Sequence, residues 1–126
     1  MKVLEPVERY FEAWNSHDGS AIAACFDPSG GYTDPVSGQL SPPGITAYAT
    51  GLFSAFPDLH FDLHVTAVDE PYVVAQWTMT GTQSGPFNGL PPTEARIKLP
   101  GIDVITLGDT RLLSVEGYFD QRTFLE

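Results

Sequence analysis

The sequence predicts an α+β domain, a strongly curved and mostly antiparallel sheet with three helices packed on one face. Two patterns carry that expectation. Apolar residues recur at helical spacing through most of the first half of the chain. From residue 59 onward they alternate with polar residues in four long strand-like runs. A curved sheet closed off by helices forms a cone-shaped α+β barrel, and the interior of such a cone is the natural ligand site. The 126 residues suffice for one domain spanning 1–126, with no room for a second core.

Val3, Val7, Tyr10, Phe11 and Trp14 define the buried face of a first helix, which stops near 15–19, where Asn, Ser, His, Asp and Gly follow one another. A short second helix carries Ile22, Cys25 and Phe26 inward and ends in a turn over 27–31. Tyr32 to Pro35 reads as a short strand running into a turn, since proline cannot continue the ladder. Ile45, Tyr48, Ala49, Leu52, Phe53 and Phe56 form the most regular amphipathic pattern, ended by Pro57-Asp58. Leu59, Phe61, Leu63 and Val65 alternate with His60, Asp62, His64 and Thr66 in a half-buried strand. Tyr72–Thr82, Ala95–Leu107 and Leu112–Phe119 are three more strands, the last two joined by a tight connection at 108–110. Gln83–Thr93 holds three prolines and two glycines and reads as a long loop or lid. The chain end again has helical character.

The formal charge of −10 argues against nucleic acid and anionic membrane surfaces as partners. No apolar stretch approaches membrane-spanning length, and acids and a proline interrupt the N-terminus before any signal-like run; a cytoplasmic protein is expected. The single cysteine, Cys25, has no obvious histidine partner and reads as a small core residue. His60 and His64 would stand about 13 Å apart on a strand, too far to share a metal. His17 belongs to a turn at the surface. Neither Gly30-Gly31 nor the 85–89 loop has the lysine or helix start of a phosphate loop, so no cofactor and no metal is expected.

Asp103 is the anomaly. It interrupts the apolar run from Leu99 to Leu107, where a buried carboxylate must find a partner or keep its proton and become a donor. Stability alone does not readily explain it.

Over nearly its whole length the chain resembles the nuclear transport factor two-like superfamily, with its ketosteroid isomerases and SnoaL-like polyketide cyclases. The resemblance rests on Trp14-Asn15 with Asp18, Ala55-Phe56-Pro57-Asp58, Trp77 leading to Gly81-Thr82, the Phe87-Asn88-Gly89-Leu90-Pro91-Pro92-Thr93 loop and the closing Tyr118-Phe119-Asp120. The loop is especially similar to SnoaL-like proteins. Tyr10, the Asp34-Pro35 pair and Asp103 stand at places matching the ketosteroid isomerase pattern. That resemblance implies Tyr10 as an oxyanion-hole phenol, Asp34 as general base and Asp103 as a protonated acid that donates the second hydrogen bond to the oxyanion. The chemistry is coherent, since deprotonation next to a carbonyl needs a base over the carbon and donors aimed at the oxygen where charge develops.

Each residue also has a plain structural reading: Tyr10 as a core aromatic, Asp34 as an Asx turn before Pro35, and Asp103 as an outward-facing residue if that sheet face is exposed. In the cyclases, the resemblance places an acid–base aspartate near Gly117 and a histidine near Asp103, so this chain departs from them at both positions. The expected activity is a proton-transfer isomerase acting on an apolar, polycyclic, steroid-like ketone. The alternatives are a cyclase closing a ring by intramolecular aldol addition, and a catalytically silent protein that encloses an apolar small molecule. Trp14, Phe56, Trp77, Phe87 and Phe119 are the expected pocket walls. The resemblance also implies a homodimer formed through an exposed sheet face.

Overall fold

A computed structural model describes residues 5–87 and 89–124; Val3, Asn88 and the side chain of Val65, all used above, lie outside the description. The elements run α1 (Glu5–Asn15), α2 (Gly19–Ala24), β1 (Phe26–Thr33), α3 (Pro42–Ala55), β2 (His60–Asp69), β3 (Tyr72–Thr82), β4 (Arg96–Leu107) and β5 (Leu112–Tyr118), then a 3-10 turn over Gln121–Phe124. They build one five-stranded sheet in the order β1-β5-β4-β3-β2. Only β1–β5 is parallel; the other three pairings are antiparallel. The expected α+β architecture is the one observed.

Helix α1 starts with Glu5 and Glu8 in its first turn, where carboxylates favour the positive end of the helix dipole. It buries Val7, Tyr10, Phe11 and Trp14. Asp18 caps α2 by accepting a bond from the Ala21 amide at 3.0 Å. Pro42 and Pro43 open α3, where the missing N–H groups cost nothing.

Two residues of the family-like motifs, Asn15 and Asp58, prove to be joints, and Gln83 is a third. Asn15 pins α1 to the edge strand β2: its amide nitrogen donates to the Phe61 carbonyl at 3.0 Å and its oxygen accepts from the Phe61 N–H at 2.8 Å. Asp58 accepts from the Thr82 N–H at 2.6 Å and from the Thr82 hydroxyl at 2.9 Å, tying the turn after α3 to the end of β3. Gln83, buried, accepts from the Thr93 hydroxyl and donates to the Pro91 carbonyl, tying the two ends of the loop after β3 together.

Two expectations need correction. Phe26 does not belong to the second helix, and 27–31 is not simply its closing turn. β1 begins at Phe26 opposite Leu112, then resumes at Gly31 opposite Ser114, with Asp27–Gly30 bulging out between. Pro28 has no N–H to offer a ladder and therefore tolerates the bulge. A Cβ at Gly30 would lie 2.8 Å from the Leu113 carbonyl, so only glycine allows the strands to close again. The pattern for β2 also breaks. An irregularity between Leu63 and Val65 interrupts the pairing, and Leu63 is 37% exposed.

Candidate active site

Tyr10, Asp34 and Asp103 all line one partly open cavity between α1, α3 and the concave face of the sheet. Its volume is about 30 Å³, room for one or two water molecules. Its walls are mostly aromatic. Trp14, Trp77 and Phe119 line it as expected. Phe56 and Phe87 do not. Phe56 sits behind Phe124, with ring centroids 5.9 Å apart, and it is Phe124, from the 3-10 turn, that lines the cavity. Phe87 packs on the outer side of Phe124 at 4.9 Å. The sequence reading missed Phe124 because a four-residue turn carries no periodicity to show which way it faces.

Asp34 follows directly after β1 and is 7% exposed. Its Oδ2 accepts from the Tyr32 phenol at 2.5 Å and from the Tyr48 phenol at 2.8 Å. Its Oδ1 accepts from the backbone N–H groups of Val36 and Ser37, at 2.8 and 2.7 Å. Four donors thus occupy the roughly four acceptor directions that a carboxylate has. The Asx-turn reading holds for one oxygen, and a phenol clamp holds the other. Tyr32 was legible as a neighbour, because residues two apart on a strand share a face. Tyr48 lies on an inward helical face, and nothing in the sequence says which polar group it meets.

Asp103 contrasts with it. Register places Asp103 on β4 between Ala75 of β3 and Gly117 of β5, facing inward at 5% exposure. Burial raises its pKa to about 7; the Trp77 indole N–H opposes the rise and the charge of Asp34 adds to it. That N–H is itself buried and has no hydrogen-bond partner of acceptable geometry among the described residues. Trp77 reaches this place because Gly101, its register partner, has no side chain; a Cβ there would lie 2.2 Å from the indole ring. Gly117 has a similar function. A Cβ there would lie 3.2 Å from Asp103 Oδ1 and 3.4 Å from the Asp34 Cβ, so the two acids flank a space that any larger residue would fill.

The Tyr10 phenol is buried too, and its pKa lies well above the ordinary value, first through burial and then through the charge of Asp103. It therefore stays protonated and available as a donor. Its ring meets Phe11, Trp14 and Phe26 edge to face, fixing its position. The cavity thus brings together a phenol donor, an acid whose pKa is raised to about 7, a buried indole N–H and a clamped carboxylate.

A family model described as a SnoaL-like domain matches residues 7–115. The chain belongs to the SnoaL-like domain family. Solved structures agree on the fold. A candidate SnoaL-like polyketide cyclase from a Jannaschia species is 24% identical, with a TM-score of 0.88 over 98% of this chain and 89% of that one. A candidate polyketide cyclase from Streptomyces antibioticus is 19% identical, with a TM-score of 0.84 over 99% and 96%. A ketosteroid isomerase-like fold from Catenulispora acidiphila, in complex with trimethylamine, is 15% identical at 0.83 over 94% and 88%. No curated protein matches the sequence.

The remaining candidate groups of this SnoaL-like domain do not line the cavity. His17 lies in the turn after α1, as expected, but is not fully exposed. It is half-buried, stacked on Phe53 at 4.4 Å, with Nε2 2.8 Å from the Leu59 carbonyl. The Cys25 thiol is half-buried and pushed up by burial, the opposite of an activated nucleophile. His60 and His64 are exposed on β2 and bond to Asp62 and Thr78. Among the described residues no group of three His, Cys, Asp or Glu could hold a metal, and no helix is long and apolar enough to cross a membrane.

Proposed function

We propose that the protein is a cofactor-independent enzyme that moves a proton next to a carbonyl of an apolar ketone, as a ketosteroid-type isomerase. The observation that carries this reading is the convergence of Tyr10 and an unclamped, neutral-range Asp103 on the same small cavity that Asp34 borders. Tyr10 and protonated Asp103 donate to the carbonyl oxygen as negative charge builds there. Asp34 takes the proton from carbon and returns it. Ring closure by aldol addition needs the same enolate, so the cyclase stands as the second reading, and it is the one that the names of two structural neighbours favour.

A β,γ-unsaturated ketosteroid tests the first reading through the appearance of conjugated-enone absorbance. The expected result is turnover that collapses in Asp34→Asn. Tight binding without turnover, unchanged by that substitution, would make the protein a silent carrier. A ring-closed product from an open polyketide would make it a cyclase.

The proposal includes a homodimer. The outer sheet face leaves Tyr72, Val74, Ile102 and Tyr118 from 39% to 55% exposed, all apolar or amphipathic and on three adjacent strands. Sedimentation at micromolar concentration is expected to show twice the chain mass, and a lysine at Ile102 is expected to return it to a monomer.

A further inference from the structure

Beyond the cavity wall lies an outer groove of about 360 Å³, between α3, the turn after β1 and the loop after β3. Val36, Ala47, Gly51, Pro86 and Phe87 line it, and Tyr48 and Leu52 belong to both the groove and the inner cavity. The inner cavity alone is far too small for a ring system, and drug-sized ligands occupy several hundred Å³.

We propose that this groove is the second half of the substrate site, taking the flat apolar body of an aryl or polycyclic ketone, with Tyr48 as the door through which the carbonyl reaches Tyr10 and Asp103. The inference rests on the acid–base reading above and names where most of the substrate sits.

Gly51 is the independent witness. It lies inside α3, where glycine weakens a helix. No packing requires it, because a Cβ at Gly51 would meet nothing within 4 Å. It borders the groove, which a longer side chain would occupy. The opposite wall is fixed: Phe87 packs against Phe56 and Phe124 and exchanges backbone hydrogen bonds with Leu90 at 3.0 and 2.8 Å. The lining is mixed: the Ser37 hydroxyl and the Tyr48 phenol lie beside the apolar surfaces of Val36, Pro86 and Phe87.

The door also explains the clamp on Asp34. Tyr48 is only half-buried, and its phenol closes Oδ2 of Asp34 at 2.8 Å. When a substrate body pushes the ring aside, that bond breaks and one acceptor direction of Oδ2 opens. The α C–H bond of the ketone then breaks, its proton goes to Oδ2, and its electron pair forms the enolate double bond as charge moves onto oxygen. Return of a proton from Asp34 to carbon restores the ketone and the free carboxylate.

The test is exchange of α-hydrogen for deuterium in D2O, followed by NMR, with acetone and 2-acetylnaphthalene as substrates for the wild type and for Gly51→Leu. Thermal unfolding establishes that the variant is folded. The expected result is a fall of about tenfold or more in the ratio of kcat/KM for 2-acetylnaphthalene over acetone, carried by KM. An unchanged ratio in a folded variant overturns the proposal. If neither ketone exchanges with the wild type, the acid–base reading fails. The groove is then decided separately, by titrating 2-acetylnaphthalene against the fluorescence of Trp14 and Trp77. Binding weakened about tenfold in Gly51→Leu keeps the groove as a ligand site, and equal binding removes it.

Discussion

Asp103→Asn is expected to abolish most turnover and, at the same time, to stabilise the fold above neutral pH. The native carboxyl has its pKa raised from 3.8 to about 7 by burial. Between those values the folded chain holds a proton that the unfolded chain releases, so stability falls as pH rises through that window and stays low above it. At about 1.4 kcal/mol per pKa unit, the cost at pH 8 is at most about 4 kcal/mol. Asparagine fits the same space and carries no charge, so the variant lacks this decline. Urea midpoints at pH 4 and pH 8 check it: the wild type loses stability between them, and the difference shrinks in the variant. The loss of activity is expected at about 100- to 10,000-fold, the usual worth of a positioned acid. A carboxylate kept for structure would show the reverse, with its removal lowering stability at pH 8.

Gly101→Ala is expected to be the most damaging small substitution. Its Cβ would lie 2.2, 2.4 and 2.7 Å from three atoms of the Trp77 indole. The indole cannot retreat easily, because its other contacts are the rings of Phe61 and Phe119, at centroid distances of 5.1 and 6.1 Å. Either the ring leaves its place or β3 and β4 separate, and overpacking of this kind costs about 3 kcal/mol. Denaturant unfolding measures that loss, and the near-ultraviolet circular dichroism of tryptophan shows whether the ring has moved. Activity falls with it, since Trp77 borders Asp103.

The fold was readable because long strands advertise themselves. The alternation from Tyr72 to Thr82 predicts β3 to the residue, and the turn at 108–110 separates β4 from β5 as expected. β1 was misread because its partner lies some 80 residues away and pairs in parallel, so neither a hairpin turn nor local periodicity announces it. In the site, Asp103 stood out as a charge in an apolar run, and the structure places it inward. The clamp on Asp34 did not stand out. Tyr48 comes from another element, and which oxygen a phenol meets is a property of packing. The need for Gly101 and Gly117 is not visible in the sequence; only the registers show what occupies the space beside them.

The parallel pairing of β1 with β5 has a consequence for how the chain reaches this state. Phe26 must meet Leu112 and Thr33 must meet Glu116, so the first strand finds its place only after the last has been made. Such long-range closure slows folding, and during synthesis it leaves the N-terminal third waiting with its strand edge unpaired. Asp34 follows directly on β1 and Asp103 lies on the strand next to β5, so the two acids approach each other only at that closing step. A chain halted before β5 holds Tyr10, Asp34 and Asp103 but lacks the strand that brings the two acids together.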